Sequence, residues 1–210
     1  MTSMLVSEDA ERLRACVAGG GVAVFPTDTV YGVCCDPEDE AAARRLYELK
    51  GRPVRRPAAV MFFALEPALR ALANLSHAER GALGALLPGP VTLLLENRAG
   101  EFAAACRSDP ATLGLRVPRL GESLQALAAI ADPVIQTSAN RSGEKDARTL
   151  AEVPPQLLDG ADLVLDGGEL PGTPSTVIDL RSYDVDGSWH VLREGAITAE
   201  AVGEFLRSAR

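Results

Sequence analysis

Residues 50–57, Lys-Gly-Arg-Pro-Val-Arg-Arg-Pro, place four cations within seven positions and stiffen them with Pro53 and Pro57. Two explanations compete. Cations at a helix C-terminus complement its dipole and stay solvated. Alternatively, a fixed backbone holds Lys50, Arg52 and Arg56 towards a polyphosphate. The prolines lower the loop's conformational entropy, which a solvated charge run does not need. That favours the phosphate reading. A second stretch, Phe25-Pro-Thr-Asp-Thr-Val-Tyr-Gly32, leaves an apolar run and presents Thr27, Asp28, Thr29 and Tyr31. Hydroxyls and a carboxylate at a strand end suit a small polar substrate; a capped strand-to-helix turn explains the same residues.

Five shorter stretches add polar groups at strand ends, where rigid elements can aim them. Leu87-Pro-Gly-Pro-Val-Thr92 is a proline turn delivering the Thr92 hydroxyl. Arg116 interrupts the apolar run Leu115-Arg-Val-Pro118 and needs a carboxylate partner, from a substrate or from the protein. Gln136 to Gly143 carries Ser138 and Asn140, Pro174 to Asp179 carries Ser175, and Arg193-Glu-Gly195 follows the last expected strand. No G-x-x-x-x-G-K-[ST] loop occurs, and no G-x-G-x-x-G follows a strand. Only His77 and His190 are present, and the four cysteines form no C-x-x-C pair, so neither a histidine-rich nor a zinc site is expected. Lys, Arg, Thr, Ser and Asn without an acid–base histidine favour positioning and charge neutralisation over proton shuttling.

These groups need a scaffold. Helices are expected at Ser7 to Val17 with Ser7 as N-cap, at Asp36 to Lys50, from the Ser76–Glu79 capping box to before Pro88, at Leu120 to Ala131, and from Thr198 towards Arg207. Strands are expected at 21–25, 58–63, 91–95, 114–117, 134–137, 163–166, 177–180 and 190–193. The irregular alternation predicts an α/β fold, an open, twisted mixed sheet with flanking helices in a single domain over 1–210. A hydrophobic fraction of 47% with 4% aromatic residues predicts a core of Ala, Leu and Val. No apolar run is long enough to span a bilayer, and the N-terminus lacks a signal peptide's basic start, so a cytoplasmic protein is expected. The net charge of −8 argues against a broad nucleic-acid face but permits a small cationic pocket.

Taken together, PTDTVYGV, KGRPVRRPA, PGPVT, RVP, SANRSG and STV resemble, in order, the motifs of the YrdC-like threonylcarbamoyl-AMP synthase family from about Gly20 to Gly195. The resemblance implies a twisted α/β fold with a central cationic cavity. It also implies synthesis of threonylcarbamoyl-AMP and pyrophosphate from L-threonine, bicarbonate or CO2 and ATP, with Mg2+ accompanying the ATP. Other proteins, the tRNA threonylcarbamoyl transferase machinery, would then modify adenosine. Lys50, Arg52 and Arg56 would neutralise phosphates, with Lys50 and Arg52 the catalytic pair. Thr92, Ser138, Asn140 and Arg193 would complete the ATP site; Thr27, Thr29, Tyr31, Arg116 and Ser175 would seat threonine. Three positions depart from the pattern: Arg56 stands where Lys is usual, Ala58 replaces Leu, and Met61 replaces a common His. Two rivals remain, a paralogue acting on a different acceptor and a non-catalytic RNA-binding module.

Overall fold

The computed structural model describes residues 4–53 and 55–208. Its strands are β1 (Ala23–Pro26), β2 (Tyr31–Cys35), β3 (Ala59–Met61), β4 (Val91–Glu96), β5 (Thr112–Arg116), β6 (Val134–Ser138), β7 (Leu163–Val164), β8 (Thr176–Asp179) and β9 (His190–Arg193). They form one nine-stranded sheet in the order β7-β1-β2-β6-β3-β5-β4-β8-β9, with parallel and antiparallel neighbours mixed, as expected. The helices are α1 (Ser7–Ala18), α2 (Glu40–Leu49), α3 (Leu65–Ala71), α4 (His77–Leu86), α5 (Ala103–Cys106), α6 (Pro155–Gly160), α7 (Tyr183–Asp186) and α8 (Ala199–Ser208). Among the described residues no helix is long and apolar enough to cross a membrane.

Alternation along the strands divides the molecule. One face carries Val24, Val33, Val60, Leu93, Leu113, Leu115, Ile135 and Ile178, and packs against α2, α3, α4, α6 and α8 in the larger core. The opposite face is apolar only over part of its width. There Phe25, Cys34, Met61 and Val134 meet Leu13 and Val17 of α1 and a 3-10 segment at 122–129. Over the rest of that face the same phase of the strands presents Thr92, Gly114, Arg116, Gln136, Ser138 and Val177, which line a cavity. Gly114 holds the floor low: a Cβ there would lie 3.3 Å from Ala59 Cα on the neighbouring strand.

Several expectations change. Residues 31–35 form β2, an unexpected strand that returns antiparallel along β1, so the Thr-Asp-Thr stretch is a hairpin turn rather than a strand-to-helix turn. Residues 122–129 are 3-10 helix rather than α-helix, because Leu124, Leu127 and Ile130 recur at spacing three and all enter the small core. Val6, not Ser7, caps α1, with its N–H donating to Asp9 Oδ2 at 3.1 Å. Helix α2 starts late because Asp39 Oδ1 accepts from the N–H groups of Ala41 and Ala42, at 2.8 and 3.0 Å. The Ser76–Glu79 capping box is present, and α3, α5, α6 and α7 were not expected.

The β9 end is tied to the β8 entry by backbone contact. A Cβ on Gly195 would overlap the Pro174 carbonyl oxygen and lie 2.6 Å from the Ser175 carbonyl carbon. Gly195→Ala is therefore expected to cost about 1–3 kcal/mol, read as a lowered urea midpoint with an unchanged slope.

Candidate active site

The cavity encloses about 310 Å³ at the ends of β4, β5, β6 and β8, with the β1–β2 turn and the loop at 52–59 as its rim. Of the residues singled out from sequence, Thr29, Arg52, Thr92, Arg116, Ser138, Ser175 and Arg193 line it. Lys50, Arg56, Asn140, Thr27 and Tyr31 do not.

The hairpin turn is built by its own hydroxyls. Thr27 Oγ1 accepts from the N–H groups of Thr29 and Val30, at 3.2 and 3.3 Å, and donates to Val30 O at 2.7 Å. This places Thr29 Oγ1 against Arg116, whose Nη2 donates to it at 3.3 Å. The same Nη2 donates to Asp28 Oδ1 at 2.8 Å, and Nη1 to Gln136 Oε1 at 3.1 Å. The carboxylate partner that Arg116 requires thus comes from the protein. Burial pushes the Asp28 carboxyl up and the Arg116 guanidinium down, outweighing their mutual attraction. Tyr31 points to the other face, its hydroxyl 2.8 Å from Gly168 O and accepting from Gly167 N–H. It anchors the hairpin rather than facing the cavity.

The cationic segment turns inward. Lys50, 1% exposed, is tucked beneath the β6 end, where its Nζ donates to Ser138 O and lies 3.4 Å from Thr137 Oγ1 and 3.3 Å from Asn140 Oδ1. Asn140 Oδ1 also accepts from Ser138 Oγ at 2.6 Å. Lys50 therefore holds the 138–140 loop in place from below. Burial, reinforced by Arg52 and opposed by Asp146, lowers its ammonium to about 7. Arg52 reaches the cavity wall, with Nη2 donating to Pro57 O at 2.5 Å and Nη1 lying 3.5 Å from Thr137 Oγ1. Burial also lowers its guanidinium. Arg56 is exposed, 3.5 Å from Ser142 Oγ, and does not line the cavity.

Across the cavity, Thr92 Oγ1 and Ser175 Oγ are 2.8 Å apart, and Arg193 Nη2 donates to Ser175 O at 2.7 Å. Asp109, Asp146, Thr112, Thr137 and Gln136 also line the space. Gln136 and Thr112 had a readable signal, since each is polar within a buried strand and in phase with Arg116 or Ser138. Asp109 and Asp146 lie in irregular loops with no periodicity to mark them. Among the described residues no group of three or more His, Cys, Asp or Glu could hold a metal ion. The arrangement presents three guanidiniums and a set of hydroxyls to one space, which suits an anionic, polyoxygenated ligand.

The Sua5_yciO_yrdC family, described as telomere recombination, matches residues 15–195. The chain is 33% identical to a threonylcarbamoyl-AMP synthase of Chromohalobacter salexigens over 84% of this chain and 97% of that one. It is 34% identical to the Homo sapiens threonylcarbamoyl-AMP synthase over 88% of this chain and 67% of that one. Among solved structures it is similar to P. abyssi Sua5 complexed with L-threonine, with a TM-score of 0.82, 27% identity and 97% of this chain covered. The chain spans 58% of that protein's length. It is also similar to E. coli YciO, with a TM-score of 0.80, 26% identity and 95% coverage of each chain.

The buried ammonium makes stability depend on pH. An unfolded Lys50 keeps its proton up to its ordinary 10.5, whereas the folded chain releases it above about 7. Between these values the unfolded state binds more protons, so stability from this group rises with pH; below 7 the full penalty of the buried charge persists. Urea titrations of wild type and Lys50→Met at pH 6.5 and 9.5 should show wild type gaining on the variant by on the order of 2–3 kcal/mol at the higher pH. Parallel profiles would contradict this.

Proposed function

This chain belongs to the Sua5/YciO/YrdC family, and from that premise we infer that it is a threonylcarbamoyl-AMP synthase. The threonine amine takes up CO2 as a carbamate, a carbamate oxygen attacks the α-phosphorus of ATP, and pyrophosphate leaves. In class terms this is nucleotidyl transfer to a carbamate. The product is a reactive mixed anhydride, consumed by proteins that pass its threonylcarbamoyl group to a tRNA adenosine. A cytoplasmic setting fits the four free cysteines, three of them buried.

The observation that carries this reading is the convergence of Arg52, Arg116 and Arg193 with the hydroxyls of Thr29, Thr92, Ser138 and Ser175 on one cavity. Arg52 and Arg193 face the phosphates and the departing pyrophosphate. Thr29 and Arg116 face threonine, with Asp28 and Thr27 fixing them from behind. Ser138, Thr92 and Ser175 offer hydroxyls to the carbamate and nucleotide. Lys50 and Asn140 act through the 138–140 loop that they hold. Neither His77 nor His190 lines the cavity, and its titratable carboxylates are Asp109 and Asp146.

ATP would enter with Mg2+. The ion prefers phosphate oxygens and water supplemented by one or two carboxylates, and Asp109 and Asp146 are the carboxylates on the cavity wall. That donor set fits a metal carried by the nucleotide. When bound, it would draw charge from the phosphates.

Incubation with ATP, Mg2+, bicarbonate and single amino acids tests the reading. Pyrophosphate release should require threonine, and Arg52→Ala should lower it about tenfold to a hundredfold with an unchanged urea midpoint. Release with a different amino acid would assign the site to another acceptor. Turnover of Arg52→Ala equal to wild type would remove Arg52 from the phosphate site.

A further inference from the structure

Arg52 is supported by residues outside the cavity. Its guanidinium carbon lies 5.7 Å from the ring centroid of Tyr47 in α2. The Arg107 guanidinium lies over the same ring at 4.9 Å. Neither Tyr47 nor Arg107 lines the cavity. The Nε of Arg52 and both Nε and Nη2 of Arg107 are buried without a hydrogen-bond partner, in groups that lie over the Tyr47 ring.

Arg107 is held there firmly. Its side chain is 8% exposed, and Nη1 donates to Glu40 Oε1 at 2.6 Å. Its backbone sits at φ 53 and ψ −115, a conformation side-chain-bearing residues seldom adopt unless their surroundings enforce it. The same turn and helix α2 grip the cationic loop. Ser108 Oγ donates to Arg55 O at 2.7 Å, and Tyr47 Oη donates to Arg56 O at 2.7 Å. Ala58 N–H donates to Ala105 O at 3.0 Å, closing the loop's far end.

We propose that Tyr47 and Arg107 are positioning residues for the reaction: the Tyr47 ring, braced by Arg107, fixes the Arg52 guanidinium in the orientation that meets the nucleotide's phosphates. The proposal rests on the reading of Arg52 given above. Two like charges share one ring because its electron-rich face offsets their repulsion, and the Glu40 carboxylate neutralises the outer one. A flexible Arg52 would have to be ordered by each incoming ATP; this one is ordered by the fold.

The test uses Tyr47→Leu, Tyr47→Phe, Arg107→Met and Arg52→Ala in the full chain, with ATP affinity by calorimetry, KM for threonine, and the arginine Nε–H resonances. Tyr47→Leu and Arg107→Met should weaken ATP binding about tenfold while KM for threonine stays within about twofold. Tyr47→Phe keeps the ring and should restore ATP affinity to within about twofold of wild type. Tyr47→Leu added to Arg52→Ala should change ATP affinity no further. Wild-type ATP affinity in Tyr47→Leu and Arg107→Met, beside a weakened Arg52→Ala, would overturn the proposal. So would an equal loss from Tyr47→Leu with and without Arg52. If Arg52→Ala binds ATP normally, the phosphate role of Arg52 fails instead, and the resonances decide about the stack. Upfield Nε–H shifts of Arg52 and Arg107, present in wild type and Tyr47→Phe and lost in Tyr47→Leu, sustain it; their absence overturns it. Arg107→Met provides the second route should Tyr47→Leu fail to fold.

Discussion

Positive charge held away from water is the constraint around which this molecule is arranged. Lys50, Arg52 and Arg116 all lose hydration, and in each the cost of burial is the largest influence on the proton. Only Arg116 has an ion-pair partner in Asp28. The others are held by neutral groups: Ser138 O, Asn140 and Thr137 around Lys50, and Pro57 O with the Tyr47 ring around Arg52. Neutral dipoles orient a cation without cancelling its field. The cavity wall thus carries the guanidiniums of Arg52, Arg116 and Arg193 beside the carboxylates of Asp109 and Asp146. The surrounding chain is acidic, at −8, yet screening confines that exterior field to roughly 10 Å at ordinary ionic strength.

The sheet makes this arrangement possible by using one phase of each strand for packing and the other for chemistry. In β5, Leu113 and Leu115 enter the larger core while Thr112, Gly114 and Arg116 face the cavity. In β6, Ile135 packs and Gln136 and Ser138 face the cavity. Small residues at Gly114 and Ala59 keep the floor open where bulkier ones would fill it. Helix α1 and the 3-10 segment cover only the neighbouring part of that face. A shift of one residue in β5 would bury Arg116 among the large-core leucines, so register and site are specified together.

Much of this was legible in the sequence, for physical reasons that differ by residue. Arg116 stands out because a cation in an apolar strand demands a partner, but sequence could not choose between substrate and Asp28, which lies 88 positions away. The cationic loop was legible through its prolines; the inward turn of Lys50 was not, since it depends on β6 passing above α2's end. Strand β2 was hidden because Thr27, Asp28 and Thr29 mark a turn without revealing that the chain returns as a strand. At Gly32 a Cβ would lie 2.7 Å from Gln136 Nε2, so a side chain at that strand position would have to displace the Gln136 amide. Tyr47 and Arg107 had no local signal. One lies in a helix with ordinary amphipathic spacing and the other in a turn, and only the fold makes them neighbours.

The same logic explains why the site can operate without an acid–base histidine. Attack of an anionic carbamate on phosphorus brings two negative groups together, which costs Coulomb energy that fixed guanidiniums reduce. Lys50, whose ammonium burial lowers to about 7, lies beneath the floor rather than on it. Its ammonium contacts Ser138 O and Asn140 Oδ1 rather than the cavity. Positive charge on the cavity wall is left to the guanidiniums of Arg52, Arg116 and Arg193, which stay protonated across the physiological range.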